Sequence, residues 1–534
     1  MTTFASPRVQ VTEIDISEFL TGLPTSVGVL VVRSRRGEPV PRFVSSTRKF
    51  KELYCLKQYR LDVGYPELYA GLNFLENGYA GLWVVRAVHS DVKYACVVVN
   101  TSDSTDATTL VSGGLGINAD KTGPVIPDWG SLGGTGNTPL FLLYAKSPGA
   151  VGNNLSVMVT GVNSAAKTFL LTVKETLPDG SVEIRVNNTV SLNPEAKDGY
   201  GNSIYLLDVL ASNDYVGAAI NTGAGTLLPK ELSTAVRFAG GDDGTAPTIG
   251  DIGECMDRFK NREQWDVDIL IQGGVGGDVY RNKLVEVAEA RGDAVAVLDV
   301  DEDMYRVESL STWRRNTFTI STSYAWLITP WLKMYDFDND KEVFVPPSGV
   351  VAGMMARCDY EYDPWWVPCG LRRGSVKVLG LKYYYSLAER DELDKIQINP
   401  FVRKPGVIAL WNNRTLQAFE SAFSFIETRR LLNYVKKNVC RTLDAYLFEP
   451  LVDSTRERIV AALDEFLRTI KMRAGLYDYK VVSDPLGTGN NPANQVDQGI
   501  LTIEIYLKPV RAIRHIWLKA IVTRTGYNLE EKMM

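Results

Sequence analysis

The sequence has little histidine and no paired cysteines. Among its 534 residues there are two histidines, His89 and His515. Histidine carries most general acid–base work and much metal ligation near neutral pH. The six cysteines form no C-x-x-C pair, which favours free thiols over a disulfide framework or a zinc site. They are Cys55, Cys96, Cys255, Cys358, Cys369 and Cys440. We therefore expect no histidine-based catalytic centre and no metal.

Long apolar runs and a strong excess of charge are also missing. No stretch of 18 or more apolar residues occurs, so no membrane span is predicted. The first residues lack a basic head followed by an apolar core, so we expect no signal peptide. The net charge of −5 is small for this length and argues against direct binding of nucleic acid. A chain of this length predicts two to four domains.

One glycine-rich loop, Gly273–Gly277, has the context of a phosphate-binding turn between a strand and a helix. Asp299 follows at the end of the next predicted strand, where a dinucleotide fold places its ribose-binding acid. The match fails in detail, because Val279 stands where a third small residue is needed and Asp278 puts a negative charge at the helix start. A structural turn is favoured, with a nucleotide-binding α/β enzyme as the alternative. No other motif indicates an enzyme, so we expect no catalytic residue and no cofactor.

The order of predicted elements indicates a multidomain α/β and α+β protein. Buried-strand patterns at Ser26–Arg33 and Leu82–Val88, and a β-α-β pattern over residues 267–300, favour a parallel sheet. Between them lie short strands, polar loops and the turn Pro178–Gly180, which suggest an inserted, mostly β domain. The predicted division is a central α/β domain at residues 21–95 and 236–375, interrupted by an outer domain at residues 96–235.

The C-terminal part reads as a compact α+β module over residues 376–510. Apolar residues recur at three- and four-residue spacing from Leu431 to Leu447 and again from Ile459 to Ile470, which predicts two amphipathic helices. A strand is predicted beyond them, because apolar and polar residues alternate there. Its apolar positions are Leu501, Ile503, Ile505 and Leu507. Extended arms are predicted on either side of the folded chain, at residues 1–20 and 511–534.

Several short motifs, in order along nearly the whole chain, resemble those of contractile phage tail sheath proteins. Arg8 departs from the family pattern, which usually has glycine there, and the 96–235 insertion is not recognisable in detail. The matching segments are Ser6–Asp15, Pro24–Val27, Phe74–Gly78, Trp83–Arg86, Ser147–Asn153, Gly240–Gly244, Val345–Gly353, Ile398–Pro400, Arg429–Tyr434 and Phe448–Pro450.

The resemblance implies a structural subunit that polymerises as a helical sheath, as stacked hexameric rings, around an inner tail tube. The sheath would contract and drive the tube through the target cell envelope. Implied partners are further copies of the chain, the tube protein, and baseplate and tail terminator proteins, without membrane insertion. The implied location is the virion tail, assembled in the cytoplasm of the host bacterium.

In such an assembly, arms would link subunits by adding strands to a neighbour's C-terminal module. Residues 1–20 are net acidic, whereas Lys508–Leu529 contains bases and no acid, so opposite charges favour pairing of N- with C-terminal arms. The predicted arm residues are Val9, Val11, Glu13, Ile14, Asp15, Arg511, Arg514, Lys519 and Arg524. The predicted docking edge is the strand that contains Leu501, Ile503, Ile505 and Leu507. A second hypothesis places a basic surface against an acidic tube, formed by Arg429, Arg430, Lys436, Lys437 and Arg441.

Overall fold

The computed structural model describes residues 26–56, 60–62, 64–224 and 227–515. By internal contacts the chain divides into two compact units, residues 1–459 and residues 460–534. The predicted arm residues Val9, Val11, Glu13, Ile14, Asp15, Lys519 and Arg524 lie outside the described residues.

The described residues form short strands and helices throughout both units. The strands are β1 (Gly28–Val32), β2 (Arg42–Val44), β3 (Leu82–Arg86), β4 (Lys93–Tyr94), β5 (Cys96–Asn100), β6 (Thr108–Thr109), β7 (Leu115–Gly116), β8 (Pro139–Ala145), β9 (Leu155–Asn163), β10 (Thr168–Thr176), β11 (Val182–Ser191), β12 (Val216–Ile220), β13 (Val236–Arg237), β14 (Ile269–Ile271), β15 (Val295–Asp299), β16 (Ala325–Thr329), β17 (Leu332–Asp336), β18 (Lys341–Val345), β19 (Ser375–Val376), β20 (Gly380–Leu381), β21 (Ile398–Lys404), β22 (Val407–Leu410), β23 (Leu476–Val482) and β24 (Glu504–Pro509). The α-helices are α1 (Thr47–Tyr54), α2 (Pro66–Asn77), α3 (Trp129–Gly133), α4 (Leu206–Ala211), α5 (Ile249–Asp257), α6 (Gly277–Arg291), α7 (Val307–Asn316), α8 (Pro347–Glu361), α9 (Gly370–Arg373), α10 (Leu387–Lys395), α11 (Ile426–Asp444), α12 (Asp453–Met472) and α13 (Ala493–Val496).

The first unit is built on a nine-stranded sheet in the order β19-β22-β21-β16-β15-β14-β1-β3-β2. The neighbours from β21 to β3 pair in parallel, as the β-α-β pattern predicts, and the outer strands β2, β22 and β19 pair antiparallel. Every residue of β1, β14, β15 and β16 is buried. Strands covered on both faces must be apolar throughout, which explains their continuous runs of β-branched and aliphatic residues.

Successive residues of the inner strands point into two different cores. In β1, Leu30 and Val32 join a cluster with residues of α1, α2 and α8. Val29 and Val31 join a second cluster, with residues of α5, α6 and α7, on the other face. Helices therefore cover both faces of the sheet, which is the layered α/β arrangement expected from the sequence.

The segment between β4 and β13 forms its own mostly β structure, in agreement with the predicted character of the insertion. It contains two four-stranded sheets, β11-β10-β9-β13 and β12-β8-β5-β6, which share one apolar core. The chain enters and leaves this structure side by side, because Lys93 bridges Asp242 and Cys96 bridges Ala239.

A network of charges joins the insertion to the central sheet. Glu175 of β10 lies 2.9 Å from Arg36, in the loop after β1, and 2.7 Å from Arg185 of β11. Arg185 also stacks on the ring of Tyr215 at 4.1 Å, and the Tyr215 hydroxyl donates a hydrogen bond to Glu52 of α1. Arg36 and Glu175 are both buried, so charges from the two parts of the chain compensate each other away from water.

A separate C-terminal module is predicted to start at residue 376, but strands of the central nine-stranded sheet continue beyond that residue. Strands β21 and β22 belong to the central sheet, where β21 pairs in parallel with β16. Ile426, at the start of α11, packs in the apolar core beneath that sheet. The helical spacing after Leu431 carries no information about which sheet the preceding strand β21 joins. Residues 376–459 therefore belong with the central structure, and residues 460–534 form the separate unit.

Candidate assembly surfaces

The second unit contains a two-stranded antiparallel sheet. In β23 and β24, Tyr479 pairs with Leu507 and Val481 with Ile505. The Tyr479 hydroxyl donates to the backbone oxygen of Asp464 in the second half of α12, at 3.0 Å, which ties the sheet to the helix. No third strand joins this sheet within the described residues. Both strands therefore have an outer edge with backbone groups free for pairing.

The predicted docking strand is shorter than the sequence suggests. Ile505 and Leu507 lie in β24 and are half-buried, whereas Leu501 and Ile503 lie in the loop before it. The alternation in β24 is as predicted, because Glu504, Tyr506 and Lys508 are exposed between half-buried residues. Beyond β24, Arg511 and Arg514 are exposed and belong to no strand or helix.

The predicted basic surface on α11 is largely internal, which corrects the sequence hypothesis. Arg429 is buried, donates to the Ser323 hydroxyl at 2.9 Å and lies 4.1 Å from the Tyr324 ring centre. Arg430 is buried and donates to Asp359 at 2.6 Å.

Lys437 is also engaged internally, at 2.7 Å from Asp268. These partners lie far away in sequence, so helical spacing alone could not identify them. Only Lys436 and Arg441 of the predicted basic set are exposed.

The glycine-rich loop is filled by the chain's own side chains. The backbone amide of Gly273 donates to the Ser348 hydroxyl at 3.0 Å, and that of Gly274 donates to the Asp299 carboxylate at 2.9 Å. Asp299 also accepts from the backbone amide of Ser348, at 2.6 Å, in the first turn of α8. A side chain added at Gly274 would meet Trp331 and Pro346, so the loop is also closely packed.

Asp299 is fully buried, and burial raises its pKa to about 6, against the effect of the hydrogen bonds that it accepts. The Asp299 carboxyl is therefore engaged by the glycine-rich loop and by the first turn of α8. This arrangement disagrees with the nucleotide-binding alternative, in which Asp299 would bind a ribose.

The described ranges contain neither a cluster of metal ligands nor a helix that could span a membrane. No group of three or more His, Cys, Asp or Glu side chains there is placed to hold a metal ion. None of the helices described is long and apolar enough to cross a bilayer. The surfaces that stand out are therefore the open terminal sheet and the exposed part of α11.

Solved structures with a similar architecture include sheath proteins. A sheath complex of an extracellular contractile injection system, in its contracted state, has a TM-score of 0.53 and 15% sequence identity, and the match covers 100% of both chains. A sheath tail protein from Listeria innocua has a TM-score of 0.55 and 13% identity, and the match covers 92% of this chain and 96% of that one. At these identities the likeness defines a class of fold.

Sequence comparison gives the family. The profile for the phage tail sheath protein central domain matches residues 254–416, and that for the phage tail sheath C-terminal domain matches residues 420–523. The tail sheath protein of Enterobacteria phage T4 is 29% identical over 360 residues, which are 63% of this chain and 53% of that protein. The tail sheath protein of Vibrio phage KVP40 is 29% identical over 378 residues, 66% of this chain and 55% of that protein. This chain belongs to the contractile phage tail sheath family, and it spans about half the length of these two curated relatives.

Proposed function

We propose that this chain is the structural subunit of a contractile sheath that polymerises helically around a tail tube and contracts to drive the tube through a cell envelope. The observation that carries this is the second unit, whose two-stranded sheet has two open edges and lies in the region matched by the sheath C-terminal profile. A two-stranded sheet is marginally stable by itself in water, so added strands would stabilise it. Its role is structural rather than enzymatic.

The added strands would come from the arms of neighbouring subunits. Backbone hydrogen bonds at an open edge supply affinity, and alternate side chains supply specificity. The acidic arm at residues 1–20 and the basic arm at residues 511–534 would meet at this sheet, with β24 as the docking edge. Each exposed charge pair contributes about 0–1 kcal/mol, so charge selects N-to-C pairing more than it provides affinity. Heterologous contacts of this kind generate helical assemblies where the rotation between neighbouring copies does not close.

Deletion of residues 1–15 tests the linking role of the arm. We expect the truncated protein to remain folded, by circular dichroism, and to form no tubes in negative-stain microscopy under conditions where the full chain does. The matched control, Glu13→Gln with Asp15→Asn, keeps the arm length and removes the net negative side-chain charge of residues 1–20. It should still form tubes, with a weaker preference for N-to-C pairing. Tubes of normal length from the truncated protein would contradict the proposal.

The exposed bases of α11, Lys436 and Arg441, are proposed to face an acidic tube. Reversal of both to glutamate should weaken co-sedimentation of sheath with tube and leave sheath assembly intact. Lys197→Glu with Arg262→Glu changes the net charge equally at exposed positions elsewhere and serves as the control. Unchanged co-sedimentation of the α11 variant would remove this surface from the tube contact.

The same proposal places the subunit in the virion tail after assembly in the host cytoplasm. Baseplate and tail terminator proteins would contact the two ends of the sheath. One structure with the same fold is the baseplate of an anti-feeding prophage, at a TM-score of 0.50 and 12% identity. Pull-down of baseplate proteins by the tagged full chain tests this contact. Absence of baseplate proteins from the pulled-down fraction would count against it.

A further inference from the structure

The connection between α11 and α12 carries an exposed apolar tip, defined here as residues 447–452. Phe448 is 105% exposed, more than any other large apolar side chain in the described part of the chain. Leu447 and Val452 beside it are 62% and 46% exposed. Contiguous apolar side chains held in water mark interaction sites on soluble proteins.

The backbone at the tip is held in an unfavourable conformation. Phe448 has a φ of 69°, in the left-handed region, and it is the one aromatic residue among the described non-glycine residues with positive φ. Bulky side chains rarely adopt this region. Turn hydrogen bonds on both sides, from Leu447 to Asp444 and from Glu449 to Tyr446, fix the segment. A strained backbone that presents an aromatic ring to solvent suggests selection for contact.

The charge around the tip restricts its partner. Residues 444–453 contain three acids and no base, and Glu449 next to Phe448 is exposed. An acidic tube would therefore repel this segment, whereas an apolar surface with cations at its edge would complement it.

The β21–β22 hairpin of the same chain offers such a surface. Residues 398–411 contain two bases, Arg403 and Lys404, and no acid. Lys404 pairs with Val407 in the hairpin, and its ammonium lies 4.3 Å from the ring centre of Trp411. Val407 is 37% exposed and Trp411 is 39% exposed. Lys404, Val407 and Trp411 are named here the basic hairpin face, with exposed Arg403 at its edge.

We propose that the apolar tip of one copy docks on the basic hairpin face of a second copy of this chain. The contact would place the Phe448 ring against Trp411, and Glu449 near Lys404. It joins two different surfaces of one chain, so it can repeat from copy to copy along a helical sheath. Tryptophan and basic residues at the centre of a patch are typical of positions that dominate binding energy. The inference rests on the proposed function and adds to it a contact that does not involve the arms.

Substitution of Phe448 separates an assembly role from a folding role. Phe448→Gly removes the ring and suits the positive φ, so its monomer should melt at the same temperature as the wild type or higher. We expect Phe448→Gly and Phe448→Ala to raise the protein concentration needed for sheath formation by roughly tenfold, measured by sedimentation and negative-stain microscopy. Phe337→Ala is the control, because Phe337 is 87% exposed at the tip of another hairpin.

A charge exchange tests the pairing itself. Glu449→Lys and Lys404→Glu should each weaken sheath formation several-fold, and the double variant should recover most of it. Normal sheaths from the Phe448 variants, while wild type assembles, would overturn this inference and leave the proposed function standing. The inference would also be overturned if the Phe448 variants lost only tube binding. It would likewise be overturned if the double variant formed sheaths no better than the weaker of the two single variants. Failure of the wild-type chain to form any sheath would overturn both.

Discussion

Replacement of Asp299 by asparagine should change how the stability of the first unit depends on pH. The side chain is fully buried between the glycine-rich loop and the start of α8, and its pKa is raised from an ordinary 3.8 to about 6. In the unfolded chain this carboxyl loses its proton near pH 4, whereas the folded protein holds the proton until about pH 6. Between these values the folded state binds more protons, so stability falls as pH rises. A pKa difference of this size corresponds to about 3 kcal/mol.

The assay is urea unfolding of wild type and Asp299→Asn at several values from pH 3.5 to pH 7, at protein concentrations below those that give sheaths. Asparagine has the same shape and does not titrate in this range. All other groups are common to both proteins, so the difference in unfolding free energy isolates the titration of Asp299. We expect the wild type to lose about 3 kcal/mol relative to the variant as pH rises from 3.5 to 7, of which about 2 kcal/mol falls between pH 4 and pH 6.

The constant offset between the two proteins reports the hydrogen bonds that asparagine cannot accept. If the difference in unfolding free energy between the two proteins does not change with pH over this range, Asp299 is not a buried carboxyl with a raised pKa. A wild type that gains stability relative to the variant as pH rises would show instead that Asp299 is held as a stabilised anion.

Two further changes test the interior. Glu175→Gln leaves Arg36 and Arg185 buried without their common carboxylate, so we expect the free energy of unfolding to fall by about 3 kcal/mol in urea titrations. Replacement of Arg36 and Glu175 together by methionine should cost less than this, and an equal or larger loss would contradict the argument. Ser386 and Glu389 form a capping box at the start of α10. Ser386→Ala should cost about 1 kcal/mol and Ser386→Gly only a few tenths, and an alanine variant as stable as the wild type would show that the cap contributes nothing.

The inner strands could be predicted from the sequence because their environment leaves a local signal. A strand buried on both faces needs a continuous apolar run, and the run at Val29–Val32 has one. The strand at β21 escaped prediction, because Asn399 and Pro400 interrupt its apolar pattern. Asn399 is nevertheless buried there, since its side-chain amide donates to the backbone oxygens of Leu327 and Arg414.

The surfaces were harder to predict than the core. Arg430 looks like a surface base on a helix, yet it pairs with Asp359, 71 residues earlier in the chain. No periodicity reports such a pair, because the partner depends on how α8 and α11 pack. Phe448 lies in a segment that matches a family motif, but its full exposure depends on a turn conformation for which the sequence carries no local signal. The open edges of β23 and β24 likewise follow from which strands are present in the folded unit.

The side-by-side entry and exit of the insertion has a practical consequence. The chain leaves and rejoins the central structure at the adjacent pairs Lys93–Asp242 and Cys96–Ala239. The 96–235 segment is therefore an inserted domain whose two connections to the central structure lie next to each other. A different domain could replace this insertion at the same two connections without altering the order of the central strands. The replacement would need to bring its own carboxylate to Arg36, which otherwise remains a buried cation. The sheath could in this way display a foreign protein on its scaffold.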